Sequence, residues 1–103
     1  MTHLIYATVK DKEEARRIGA KLLEDRLIAC ANILDGLTSL YRWKGETCVS
    51  QEALLLAKTT EEKIPLVVDS IRAMHSYELP CIVAFPITTG LPAFLKWVAE
   101  EVK

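Results

Sequence analysis

Ala53-Leu54-Leu55-Leu56-Ala57 is the stretch whose reading decides the fold. A strand covered on one side alternates apolar and polar residues, and this one does not. Leu54 and Leu56 point to one side, and Ala53, Leu55 and Ala57 to the other. Both faces of this strand therefore require cover. The run belongs to a long extended segment, Thr47 to Thr59, that follows the turn residues Lys44-Gly45-Glu46. Before that turn lies an equally long arm, Ile28 to Trp43, with Asp35-Gly36 as a bend or bulge. Each arm far exceeds the usual strand of about 5–6 residues. The seven residues from Leu37 to Trp43 alone extend about 20 Å, so the hairpin must overhang a small domain.

Outward from the hairpin, the pattern alternates strands with helices. Thr2 to Val9 forms the first strand, with Ile5, Ala7 and Val9 on one face and Leu4 and Tyr6 on the other. Asp11 stands three residues before Glu14 in an acidic version of the capping box. The helix it opens carries Ala15, Ile18, Gly19, Leu22 and Leu23 as one apolar stripe. A second helix is expected after Thr59 or Thr60, with Thr59 capping through Glu62 and with Leu66, Val67, Ile71, Met74 and His75 along its inner face. Pro80 ends that region, and Cys81 to Ile87 reads as a fourth strand. Gly90 and Pro92 precede a terminal helix with Phe94, Leu95 and Val98 turned inward. The order is that of the α+β ferredoxin-like βαββαβ sandwich, extended by one helix and a long hairpin between its second and third strands.

Two helices can cover only one face of a four-stranded antiparallel sheet. What the terminal helix leaves bare on the other face is an apolar patch, uncommon on a monomer. Tyr41 and Trp43 add aromatic surface near the hairpin tip, and the long arms expose strand edges. An obligate homo-oligomer with sheets packed face to face is therefore expected.

The chain has 103 residues, half of them apolar and 26% charged, which suits one domain spanning residues 1–103. Thirteen basic against fourteen acidic side chains leave a net charge of -1, without the basic footprint of a nucleic-acid module or a polybasic membrane anchor. No apolar run reaches the roughly 18 residues of a membrane span, and the first residues lack a signal-peptide layout, so the expected address is the cytoplasm. Cys30, Cys48 and Cys81 are odd in number and widely spaced, fitting neither a disulfide framework nor a zinc site. Cys48, beside the turn, is expected to be the most exposed of them. Catalytic signatures such as GxSxG, a P-loop or HExxH do not occur, and no enzyme is expected.

Five separated blocks, in order along nearly the whole chain, resemble one family. They are Ala29-Cys30-Ala31-Asn32-Ile33, Ser39 to Gly45, Glu52 to Thr59, His75-Ser76-Tyr77-Glu78-Leu79-Pro80, and Gly90 with Leu95-Lys96-Trp97. The resemblance is to the CutA divalent-cation-tolerance proteins. It implies a homotrimer of ferredoxin-like subunits with their sheets inside, similar in architecture to PII signalling proteins. It also implies a link to copper tolerance and no catalytic activity. Where metal proposals for the family use a first-strand Cys and paired His, this chain carries Ala7 and Met74-His75.

Two candidate sites follow. The metal candidate is His75, with Met74 for a soft ion and Glu78 as a further donor, taking Cu(II) or another divalent cation that folding does not require. One imidazole cannot fill a copper site, so further donors or a neighbouring subunit must contribute. The alternative role for His75 is to cap its helix. The second site is an inter-subunit cleft lined by Tyr41, Trp43, Glu52, Lys58 and Tyr77 with Glu78, suited to a small anionic or polar ligand held by Lys58. Glu52 and Lys58 share one strand face, and the other reading pairs them across subunits to fix register. Binding or buffering of divalent ions, chiefly copper, is the first functional expectation. A PII-like small-molecule or partner-binding protein is the alternative.

Overall fold

The computed structural model describes residues 1–103. Its elements run β1 (Thr2–Val9), α1 (Lys12–Glu24), β2 (Cys30–Trp43), β3 (Glu46–Thr60), a 3-10 turn (Glu61–Lys63), α2 (Ile64–Met74), β4 (Ile82–Pro86) and α3 (Pro92–Glu101). The sheet order is β2-β3-β1-β4 with every neighbouring pair antiparallel. Each βαβ unit is thus split by a strand of the other, the ferredoxin-like arrangement.

Local chemistry sets the boundaries. The Asp11 carboxylate accepts the Glu14 N–H at 2.8 Å, and Glu14 reaches back to the Lys10 N–H at 3.2 Å. In β2 the register slips between Leu34 and Leu37, where Gly36 adopts φ +73° and its N–H bonds the Asp35 carboxylate. The hairpin closes with Trp43 opposite Glu46. Lys44 and Gly45 both have positive φ, 50° and 83°, as a type I′ turn demands.

The core lies between the sheet and the pair α1 and α2. Ile5, Ala7, Val9, Ala53, Leu55 and Ala57 on the sheet meet Ala15, Ile18, Leu22, Val67 and Ile71 on the helices, all fully buried. Val98 and Val102 at the end of α3 pack with Ala29 as a separate, smaller cluster.

The opposite sheet face stays largely bare. Direct cross-strand partners share a face, so the register groups Leu34 with Leu54, Leu56 with Tyr6, Tyr6 with Val83, and Leu4 with Phe85. Leu34 is 61% exposed, Val83 42% and Phe85 50%. The subunit exposes 6463 Å², against roughly 5,800 Å² for a compact chain of this mass. Its longest dimension is 44 Å against 26 and 22 Å, the overhang of the hairpin.

Several sequence expectations need correction. Thr59 is no helix cap: it is a fully buried β3 residue whose hydroxyl donates to the Leu27 carbonyl at 2.7 Å. Thr60 stands at the cap position instead. The Glu62 carboxyl is held below its ordinary range, chiefly by a backbone N–H and then by the Thr60 hydroxyl. Leu66 faces outward on α2 at 53% exposure, leaving Val67 and Ile71 as the inner stripe. Phe94 does not turn inward either. It is 38% exposed and packs beside Trp97, with ring centroids 5.6 Å apart. The ladders of β2 and β4 begin at Cys30 and Ile82 rather than Ile28 and Cys81. Cys81 is exposed whereas Cys48 is half-buried.

Candidate functional site

The overhanging hairpin and the turn after α2 enclose a cleft of about 660 Å³. Thr8 at the end of β1, Ser39, Tyr41 and Trp43 on β2, and Glu52 on β3 form one side. The 76–81 turn, with Tyr77, Glu78 and Cys81, forms the other. Strand alternation explains the first set: Ser39, Tyr41 and Trp43 are two apart on β2 and lie opposite Ser50, Cys48 and Glu46, on the same face as Glu52. Pro80, which has no N–H to give a ladder, stands just before β4, whose ladder begins at Ile82.

His75 fixes that turn. Its backbone N–H still closes α2 on the Ile71 carbonyl, while its extended φ and ψ (-73°, 143°) end the helix. The ring Nδ1 accepts the Tyr77 N–H at 3.1 Å, so the ring proton sits on Nε2, which donates to the Thr8 carbonyl at 2.8 Å. Glu14 Oε1 lies 3.9 Å from Nδ1. Because Nδ1 is already an acceptor, that contact is not an ion pair. The imidazole has no exposed surface and packs 4.7 Å from the Tyr77 ring.

Tyr77 carries the arrangement into the cleft. Its hydroxyl donates to Glu52 Oε2 at 2.8 Å. The phenol is pushed well above its ordinary pKa, first by burial and then by that bond to a carboxylate. Glu52 is only 7% exposed and has no cation within ion-pair distance in its own subunit. Tyr41 is held by a 2.7 Å bond between its hydroxyl and Ser50.

Tyr41, Trp43, Glu52, Tyr77 and Glu78 line this one cleft within the subunit. Lys58 does not join them. It lies further along β3, opposite Leu4 and Cys30, and its ammonium donates to the Asn32 side chain. The metal candidates also fail to converge within one subunit. Both ring nitrogens of His75 are used internally, Met74 is half-buried against the core, and Glu78 stands on the cleft wall. No three His, Cys, Asp or Glu side chains gather in metal-binding proximity. The sequence reading missed Glu14, a fully buried carboxylate behind the cleft whose Oε2 has no hydrogen bond and sees only Arg17 at 3.6 Å. Its signal was the capping box, which accounts for Oε1 at the Lys10 N–H and leaves Oε2 without a donor.

Fold and cleft together define a ferredoxin-like protein with an extra helix, an overhanging hairpin and a pocket at the hairpin's foot. The family profile described as CutA1 divalent ion tolerance protein matches residues 3–101. The chain is 46% identical to the divalent-cation tolerance protein CutA of Thermus thermophilus, over 98% of both chains. It is 44% identical to the CutA of Archaeoglobus fulgidus over the full length of both. The solved structures from these two organisms superpose with TM-scores of 0.95 and 0.96, covering 98% and 100% of both chains. The chain belongs to the CutA1 divalent ion tolerance family. No helix is long and apolar enough to cross a membrane.

Proposed function

We propose that this chain acts in divalent-cation tolerance as a homotrimer with its bare sheet faces inside, binding or buffering divalent ions, copper foremost. The observation that carries this reading is full-length membership in the tolerance family. His75 is committed within its own subunit and no cluster of donors stands ready, so an ion must be held by groups from more than one copy. Metal binding then depends on assembly. The role needs no catalysis, and three free cysteines suit the reducing cytoplasm.

Calorimetric titration with Cu(II) tests this, comparing the native protein with a variant dissociated by Val83→Lys and Phe85→Lys. The assembled protein binds copper and the dissociated one loses it. Equal binding by both contradicts a shared site. His75→Ala lowers thermal stability more than it changes copper affinity, because the ring anchors the turn.

A second reading is favoured by the cleft itself. An aromatic-walled pocket holding a nearly buried carboxylate suits a small-molecule site of PII-like type, completed by a neighbouring subunit. A metabolite that raises the melting point without metal supports it.

A further inference from the structure

The cleft holds an electrostatic imbalance. Glu52 is a 7%-exposed carboxylate with one hydrogen bond, from the Tyr77 hydroxyl, and no cation within ion-pair distance in its own subunit. A carboxylate largely withdrawn from water is favoured by a positive partner or further donors that offset its lost hydration. Glu78 adds a second carboxylate to the wall, and the buried Glu14 lies 3.9 Å from the His75 ring that holds the Tyr77 N–H. The one basic residue on the lining is Arg42, which alternates to the opposite strand face from Tyr41 and Trp43 and forms no ion pair in its subunit. Lys58, the cation expected here, is bound to Asn32 elsewhere on the sheet.

The rest of the wall is aromatic. Tyr41, Trp43 and Tyr77 line it, and the negative quadrupole of an aromatic ring face attracts cations. The indole of Trp43 already draws one: the Lys44 ammonium lies 5.6 Å from its centroid, from outside the cleft lining. A metal ion would need three or more converging donors, which one subunit does not bring together. An organic cation needs only one carboxylate and ring faces around it.

We propose that the cleft is a recognition site for a small organic cation, an amine or alkylammonium, with Glu52 as its counter-charge and Tyr41, Trp43 and Tyr77 as its aromatic walls. This rests on the small-molecule reading of the cleft and reverses the ligand charge expected when Lys58 was placed in it. Tyr77 acts twice, as a wall and as the donor that orients Glu52, so its own position passes to the site through His75.

The test is titration of the native protein with butylammonium, butanol and butyrate, followed by the NMR signal of the Trp43 indole N–H. Butylammonium is expected to shift that signal saturably, while butanol and butyrate leave it in place. Glu52→Gln weakens butylammonium binding by about tenfold or more, the loss of one charged contact. Glu78→Gln, on an exposed residue, weakens it less. Equal responses to all three probes overturn the proposal, as does butylammonium binding undiminished in Glu52→Gln. If butyrate or butanol alone binds, the small-molecule reading stands and the cation assignment fails. If none of the three moves the Trp43 signal, both fail, and Glu52 is neutralised within the assembly. The comparison of the three probes uses the native protein, so it decides even if a variant misfolds.

Discussion

The two faces of one sheet have opposite fates. On the face beneath α1 and α2, Ile5, Ala7, Val9, Ala53, Leu55 and Ala57 are fully buried. On the other, Leu34, Val83 and Phe85 remain about half exposed beside Leu4, Leu54 and Leu56. The same strands, of similar apolar character on both sides, are closed by their own helices on one side only. The lesson is that a strand can be apolar on both sides while its own chain supplies helices for only one of them. Covering each half-exposed large side chain yields about 1 kcal/mol, which favours association of copies.

The sharpest way to break this comparison is to cut into the closed face. Leu55→Ala leaves a cavity that the helices cannot fill, and should cost about 2–5 kcal/mol in denaturant unfolding. The same cut on the open face at Leu34 should cost less in the dissociated subunit, because that side chain is 61% exposed there. Equal costs in the dissociated Val83→Lys, Phe85→Lys background would erase the distinction between the faces.

A gain is available under α1. Gly19 is helical, and a methyl group there would meet Leu55 Cδ1 at 3.6 Å and Ala31 Cβ at 3.7 Å, ordinary contact distances. Gly19→Ala should therefore stabilise the fold by about 0.5–1 kcal/mol through helix propensity and chain entropy. A loss in thermal unfolding would mean that the closed face has no slack.

The smallest effect concerns Tyr77. Its folded-state pKa is raised, so the unfolded chain releases the phenolic proton first as pH climbs past about 10. The stabilisation is fully present below that pH and is lost above it, where the unfolded state binds fewer protons. Native stability should fall more steeply above pH 10 than that of Tyr77→Phe. Ultraviolet titration should also show one of the three tyrosines ionising after the others. Parallel pH profiles for the two proteins would detach Tyr77 from Glu52.

Much of this was legible in the sequence because it is local. The Asp11 cap, the Asp35-Gly36 bulge, the turn within Lys44-Gly45-Glu46 and the two-sided apolar run at Leu54 all declare themselves within a few residues. What was hidden depends on distant partners. Thr59 reads as a cap until Leu27 is seen to accept its hydroxyl. His75 reads either as a metal ligand or as a helix cap until Thr8 and Tyr77 take both its nitrogens. Lys58 shares a strand face with Glu52, yet strand position fixes the side and not the reach, and Asn32 holds it. Leu66 and Phe94 show that an apolar residue at helical spacing is not thereby inward.

The central claim is that the uncovered sheet face is shielded by further copies of the chain. Sedimentation equilibrium at micromolar concentration tests it most directly. A single species of three times the 11.6 kDa subunit mass is expected. A stable, soluble particle of 11.6 kDa would contradict it.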